Sequence, residues 1–512
     1  MFSQLWQKIK ELIYKVLGTA RGVEQALHIK PTISSEMADA IELWDRMYKN
    51  TPPWKQEPIA GKPKRVTTLG LPSFIASEKA RMCTLEMKSE ITGVKEDEEV
   101  TDEATGLQVT RQKFVGSTDR AEFLNEQYQN TIMQDIRTQL EYALAKGGMV
   151  IKPYVDGGRI VVDYVQADGF YPIAFDASGN MTEAAFVQRI TDKDKIYSRL
   201  EYHKLDNTTV TVINRAFKAA QGAGQQELGN EIPLTAVPQW ADLQPETTIE
   251  GVDRLLFAYF KPPIANTIDT YSPLGESVYN RAKDLIKDAD EQYSRMLWEF
   301  EGGELAIDVD REALRVDETS DGREITYMPK GAERLFRRLD LNNETLYEVF
   351  NPALRDASML NGLNSILTRI EDVCELARGT IADVTQEART ATEIAVLKQR
   401  SYAANALLQK QLEQTLRDVI YIMDTYTTLY NLAPMGDYDV SFEWDDSIQV
   451  DKESEMTKRL TLVQSGISSK VEFRMWYYGE TEEQAVQALA EMQNYNAYEA
   501  SAAVDNEARS EI

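Results

Sequence analysis

The chain has 512 residues, 43% of them apolar, and a net charge of −27 at pH 7. That length predicts about three or four domains with real cores, and the acidic balance excludes a protein whose whole surface grips nucleic acid, since phosphate affinity comes from Lys and Arg. No apolar run is long enough to span a bilayer, and the two cysteines, Cys83 and Cys374, build no disulfide framework and read as small core residues of a protein from a reducing cytosol.

Residues 2–17 predict an amphipathic helix, with Leu5, Ile9, Leu12, Ile13 and Val16 on one face and lysines and Glu11 elsewhere. Lys8, Lys10 and Lys15 interrupt its apolar residues, so it does not read as a signal peptide. It reads as a docking helix, with a helix lying on a membrane surface as the alternative. A second helix is predicted over 34–50, ended by Pro52-Pro53-Trp54. Within 71–93, Leu71-Pro72-Ser73 starts a helix whose apolar face carries Ile75, Met82, Leu85 and Met87. The acidic run Glu96-Asp97-Glu98-Glu99, with Asp102, Glu103 and Gly106 after it, has one sign of charge and no aromatics. Such a run predicts a solvated loop, with a cation site as the alternative.

Residues 120–146 predict helix. MVIKPYV and RIVVDYV then form a hairpin through a three-residue turn, Asp156-Gly157-Gly158, where glycine supplies the left-handed position. IYSRLEYHKL and TVTVINRAFK form another, turned at Asp206-Asn207. The stretch 219–250 lacks periodicity and reads as connector, and LLFAYFK at 255–261 reads as a buried strand.

Two long helices of similar length follow. The first is predicted from Ser272-Pro273 to Gly302-Gly303, the second from Asn351-Pro352 to Gly379. Each has a capping residue and a proline at its start, and each would be about 40 Å long at 1.5 Å per residue. Together they predict a stalk with a small β-rich insert at its tip, whose strand candidates are 305–309, 324–328, 335–339 and 345–350. Arg334, Arg337 and Arg338 beside Phe336 form the tightest basic cluster in the chain. It reads either as a solvated face or as a contact for phosphate or a partner.

After a polar segment at 380–390, a helix of about 40 residues is predicted to run to Pro434. Thr390 and Glu393 make a capping box, and Leu408, Leu412, Leu416, Val419 and Met423 recur at helical spacing. A spoke in a large assembly and a helical bundle both fit this length. YDVSFEWDD at 438–446 is a further strand, 452–493 holds two helices split by SGISSKVEF, and the tail after Tyr495 is expected to fray.

Catalytic signatures are absent: no phosphate-cradling GxxxxGK[ST], no GxGxxG after a strand, no HExxH, CxxC or GxSxG. His28 and His203 are the only histidines, and neither has a second candidate ligand nearby in sequence. No cofactor or metal is expected. The remaining enzyme reading is a metal-dependent nucleic-acid-processing enzyme using Asp445, Asp446 and the Glu96–Glu99 run.

Several long stretches carry a family resemblance: IASEKARMCTLEMKSEITG, EYALAKGGMVIKPYVDGGRIVVDYVQADGFYPIAFD, FAYFKPPIANTIDTYSPLGESVYNRA, TATEIAVLKQRSYA, YDVSFEWDDSI and EFRMWYYGETEEQA. In content and order they resemble the portal proteins of tailed bacteriophages, in particular those of siphophages of Gram-positive hosts. The resemblance covers essentially the whole chain. It implies an α+β portal fold assembling as a ring, with a wing at 1–271 and 391–451, stem helices at 272–302 and 351–379, a clip at 303–350, a tunnel loop at 380–390 and a crown at 452–495.

By the same resemblance the protein would be no enzyme but the channel at the unique capsid vertex of the virion, assembled in the host cytoplasm. The implied partners are a homo-oligomer, usually a dodecamer, the terminase, the major capsid protein and a scaffold, a head–tail adaptor, and double-stranded DNA passing without sequence specificity, with no membrane. Thr385, Gln386, Glu387 and Arg389 match the tunnel loop that borders DNA. Arg334, Phe336, Arg337 and Arg338 match the clip face turned to terminase and adaptor. An acidic channel would repel phosphates and let DNA slide. Another viral connector ring remains the alternative, against which the stem pair and its insert argue.

Overall fold

The structure, a computed structural model, describes residues 15–56, 58–59, 62–63, 66–101, 108–192, 195–220, 228–303, 306–310, 315–318, 324–327, 336–339, 347–350, 352–383, 391–444, 452–481, 484–490 and 492. The chain divides into two units, residues 1–443 and 444–512.

The first unit is α+β. It opens with α1 (Lys15–Leu27) and α2 (Ser35–Tyr48), whose N-cap Ser34 accepts from the Met37 N–H. The docking-helix expectation over 2–17 falls largely on residues outside those described. Helix α3 (Leu71–Thr84) has proline in its first turn. It stops at Thr84, and the chain turns directly into strand β1 (Met87–Gly93), so Leu85 and Met87 lie beyond the helix face expected for them.

The acidic run is a strand and not a loop. β2 (Lys95–Thr101) pairs antiparallel with β3 (Gln108–Phe114), placing Glu96 opposite Lys113 and Glu98 opposite Arg111. The Glu96–Lys113 pairing sets opposite charges across the ladder, which stabilises it and which a reading of the run in isolation overlooks. Helices α4 (Asp119–Tyr128) and α5 (Ile136–Lys146) fill the predicted helical stretch, joined by a π-turn at Gln129–Met133.

Strands β4 (Met149–Asp156) and β5 (Arg159–Gln166) form the first predicted hairpin. Its turn has two residues, not three, because Asp156 pairs with Arg159. Gly157 and Gly158 adopt φ 57° and 77°, the pair of left-handed conformations that matches the twist of the strands. Strands β6 (Phe170–Phe175), β7 (Met181–Asp192), β8 (Lys195–Asp206) and β9 (Thr209–Ala220) make a meander. The expected connector contributes to it: β10 (Asn230–Ile232) and β11 (Glu246–Glu250) both pair with β9. Trp240 is buried against this sheet beside Leu234 and Val237. β12 (Ala258–Phe260) pairs with β4.

The first long helix is shorter than its caps predict. Helix α6 runs Lys283–Gly302 after a 3-10 turn at Asn280–Ala282, so residues 272–279 are not helical. The Ser272 hydroxyl does accept the Leu274 N–H, at 3.3 Å. The backbone beyond it is claimed by the body, since the Tyr259 hydroxyl accepts the Gly275 N–H and the Leu144 carbonyl accepts the Val278 N–H. Gly275 also lies so close to Gly147 that a Cβ there would meet the Gly147 carbonyl oxygen at an impossible 2.3 Å. Tertiary contacts override the capping signal.

Among the described residues five short strands follow: β13 (Ala306–Asp310), β14 (Arg315–Glu318), β15 (Glu324–Tyr327), β16 (Phe336–Leu339) and β17 (Tyr347–Phe350). β13 is central, parallel to β16 and antiparallel to β17, and β14 pairs with β15. Helix α7 runs Asp356–Val373, also shorter than predicted. Helix α8 spans Ala391–Leu429 as the periodicity predicts, burying Leu408, Leu412, Leu416, Val419 and Met423. It packs on β4, β12 and α3, so most of it is a core element. Arg120 ties α4 to it through the Asp424 carboxylate at 2.7 Å and the carbonyls of Asp424 and Ala433. Strand β18 (Tyr438–Trp444) pairs with β1.

The second unit holds α9 (Lys452–Gln464), α10 (Lys470–Tyr478) and a turn of helix at 484–490. A capping box between Ser469 and Glu472 starts α10 inside the stretch expected to separate the helices. Arg459 stacks over the Trp476 ring at 4.5 Å.

Candidate functional site

Helices α6 and α7 pack against each other, and each buries few residues: Ile286, Ala289 and Asp290 on α6, and Leu363, Ile370 and Glu371 on α7. Gly303 lies against Leu354, Arg355 grips Glu299 through two nitrogens at 3.0 and 2.6 Å, and Gln292 approaches Gly362. Those pairings run in opposite directions along the two helices, so the pair is antiparallel. The Arg355 guanidinium holds Glu299 below the usual carboxylate range.

The pair is rooted by buried carboxylates. Asp290 on α6 is 2% exposed and accepts the Trp54 indole N–H at 2.9 Å and the Leu69 N–H at 2.8 Å. Burial pushes its carboxyl up even so. Just before the helix, Glu276 is fully buried and accepts from the Thr267 N–H, the Thr267 hydroxyl and the Asn280 amide. The Asn280 oxygen in turn accepts the Trp44 indole N–H at 2.8 Å. Every polar group in this chain of contacts has a partner, so the root of α6 is rigid.

At this same rooted end of the hairpin, α7 hands the chain to segment 374–383. Glu375 takes a left-handed φ of 56°, which ends the helix. The segment then folds back onto α7 and is clasped by two of its side chains. Glu371, fully buried, accepts the N–H groups of Gly379 at 3.2 Å, Ile381 at 2.5 Å and Ala382 at 2.8 Å. One turn-pair earlier, Asn364 accepts the Asp383 N–H at 2.7 Å and donates to the Asp383 carbonyl at 2.9 Å. Arg378 closes the bend with both oxygens of Asp372. A carboxylate receiving several backbone N–H groups is among the stronger hydrogen-bonded arrangements. It fixes the path of the returning segment as far as Ala382, one residue before the described segment ends at 383.

The Cys374 thiol lies inside this junction, pushed up to about 12 by burial, and burial lowers the neighbouring Lys79 ammonium. Both cysteines are buried and neither forms a disulfide, as expected of small core residues.

Of the residues singled out from sequence, Thr385, Gln386, Glu387 and Arg389 lie outside the described residues, as do Arg334, Asp445, Asp446 and Thr390. Phe336, Arg337 and Arg338 form β16, and their backbones stand opposite Ile307, Asp308 and Val309 of β13. Among the described residues, no group of three metal-ligating side chains converges, and no helix is long and apolar enough to cross a membrane.

Sequence reasoning missed the buried carboxylates Glu276, Asp290 and Glu371. For Asp290 and Glu371 the signal was an acid on the apolar face of an amphipathic helix, which a periodicity count treats as noise, whereas Glu276 precedes its helix and carried no such signal. It also missed a buried charge cluster. Lys152 on β4 meets both oxygens of Glu201 on β8 at 3.0 and 2.9 Å, Arg199 reaches Glu201 at 2.9 Å, and the His203 ring lies 2.7 Å from it. Burial raises the Glu201 carboxyl, but Lys152 and His203 more than offset this and hold it well below the usual range. With its carboxylate enclosed by three basic side chains, this cluster is a brace between sheets. His203 is thus a structural histidine, and its partner two residues away was visible in the sequence.

A family model described as phage portal protein, SPP1 Gp6-like, matches residues 27–499 of the chain. No curated protein matches it.

Proposed function

The chain belongs to the SPP1 Gp6-like phage portal protein family, and from that premise we propose how its parts serve a portal. Portal proteins are structural components of the capsid vertex through which phage DNA passes. We assign residues 1–271 and 391–451 to the wing, 272–302 and 351–379 to the stem, 303–350 to the clip, 380–390 to the tunnel loop and 452–495 to the crown. The chain would assemble as a ring of about twelve copies, with the stem helices walling a central channel.

The observation that carries this reading is the α6–α7 pair. It is antiparallel, held at its far end by Arg355–Glu299, rooted at its near end by Asp290, and it brackets the five short strands β13 to β17. Such a pair projects a small β unit away from a core at a defined distance. In the ring, that unit would present Arg334, Phe336, Arg337 and Arg338 to the terminase and later to the head–tail adaptor. Thr385, Gln386, Glu387 and Arg389 would border DNA, with Glu371 and Asn364 fixing where their loop begins. Capsid protein and scaffold would contact the wing.

Charge gives the channel its character. About twelve copies of a chain of net charge −27 carry on the order of −320 formal charges. An acidic wall repels phosphates, so DNA slides without being captured, while isolated basic side chains steady it. Energy for packaging would come from the partner ATPase.

Electron microscopy of the purified protein, with mass measurement on the same sample, tests the ring. Rings of about twelve or thirteen copies with a central channel are expected. A discrete monomer or dimer at all salt and protein concentrations, with or without scaffold, would refute the assembly. Lysines introduced on the channel face of α6 should slow DNA passage in a packaging assay, and unchanged packaging would refute the electrostatic account.

A further inference from the structure

The α6–α7 hairpin leaves one tryptophan and one apolar groove uncovered. Trp298 on α6 is 67% exposed, whereas Trp44, Trp54 and Trp240 are buried. A groove of about 300 Å³ runs along α7, lined by Leu360, Leu363, Leu367, Ile381 and Ala382, with Asn364 and Asp383 as its polar residues. Leu360 is itself 52% exposed. The clasp by Glu371 and Asn364 builds this groove, because it lays residues 381–383 alongside α7.

Helical phase places the two features on opposite flanks of the hairpin. Each residue advances about 100° around its helix axis. On α6, Glu299 and Gln292 point at α7, and Trp298 lies one residue before Glu299. On α7, Arg355 and Gly362 point back at α6, and Leu363 lies one residue after Gly362, with Leu360 and Leu367 still further round the same side. Steps of opposite sign on antiparallel helices land on opposite flanks. One flank therefore offers a bulky indole, and the other offers a largely apolar slot.

We infer that Trp298 of one copy seats in the Leu360–Leu367 groove of the next. The inference rests on the ring reading and names the contact that would hold neighbouring stems. A knob on one flank and its slot on the other make a head-to-tail contact in which every copy both gives and receives, the arrangement that closes into a ring when the rotation fits. Tryptophan is the residue type that most often anchors such contacts, burying about 150–250 Å².

The test uses the full chain. Trp298→Cys combined with Leu360→Cys, treated with a short bismaleimide, is expected to give a ladder of covalent multimers on denaturing gels, while either single variant gives none. The native cysteines are buried and stay out of the reaction. Trp298→Ala is expected to raise the protein concentration needed for assembly about tenfold or more. Microscopy of the same samples separates the readings. Rings of the double-cysteine variant that give no ladder, or a Trp298→Ala variant that assembles like the wild type, overturn the seating and leave the ring standing. A cross-linked monomer assigns the groove to a segment of the same chain and likewise overturns it. A wild-type chain that never forms rings overturns the ring, and the seating falls with it.

Discussion

Replacing Glu371 by Gln keeps the size of the side chain and removes its charge and one acceptor oxygen. In the native chain the Glu371 carboxylate takes the N–H groups of Gly379, Ile381 and Ala382, the closest at 2.5 and 2.8 Å. A hydrogen bond to a charged group contributes about 1.5–3 kcal/mol, and a buried donor left without its partner costs about 1–3 kcal/mol. The Gln amide retains one oxygen for these donors and turns its own N–H2 toward the others. The clasp should therefore lose about 3 kcal/mol, which is about a hundredfold in the local opening equilibrium. Because segment 379–383 is held largely by these bonds, the loss should be local. Hydrogen exchange of the peptide covering 376–383 is expected to accelerate about a hundredfold, while peptides within α8 and β4 keep their rates. If exchange of that peptide stays within about threefold of the wild type, the carboxylate is not what holds the segment, and the account of how α7 positions the chain beyond it is wrong.

Other perturbations probe the scaffold. Lys152→Met strips Glu201 of its first partner while leaving it buried, and should cost about 3 kcal/mol in urea unfolding at pH 7. Glu201 is held below its ordinary range, so its contribution is present above the unfolded value of about 4.5 and is lost as pH falls through the lowered folded value. The gap between wild type and Lys152→Met should accordingly narrow in acid, and a gap that widens there would refute the pairing. Gly275→Ala drives a Cβ to 2.3 Å from the Gly147 carbonyl oxygen; backbone must move, and a drop in stability of about 3 kcal/mol or more is expected by thermal unfolding. Cys374, with its thiol pushed up to about 12, should resist a thiol reagent at pH 8 in the folded protein and react fully in urea. Rapid labelling of the native chain would show that the α7 junction opens.

Much of the fold was legible wherever a pattern is local. The hairpins at 149–166 and 195–220 follow from alternating residues around glycine or asparagine turns, and the left-handed φ of 53° at Asn207 is the conformation that turn residue tolerates. The helix at 391–429 follows from its apolar spacing. The acidic run failed because its partner strand, with Lys113 and Arg111, lies further along the chain, where a reading of the run alone does not look. The candidate site was legible as a place but not as a mechanism of holding. Two long helices announced themselves, yet nothing local marks Glu371 as a clasp or Trp298 as uncovered.

By itself the sequence determined the helices and strands that local propensity, turns and apolar period specify, the absence of familiar catalytic motifs, and a family resemblance along nearly the whole chain. Only the tertiary structure decided where the α6 helix begins. The Ser272-Pro273 signal contributes about 1 kcal/mol, while the contacts of Gly275, Glu276 and Asn280 with the body hold residues 272–279 out of the helix. It also decided which acids are buried, because burial depends on what a distant segment lays over them. Glu371 is interior because residues 379–382 turn back across it, and that return is a property of the folded chain as a whole.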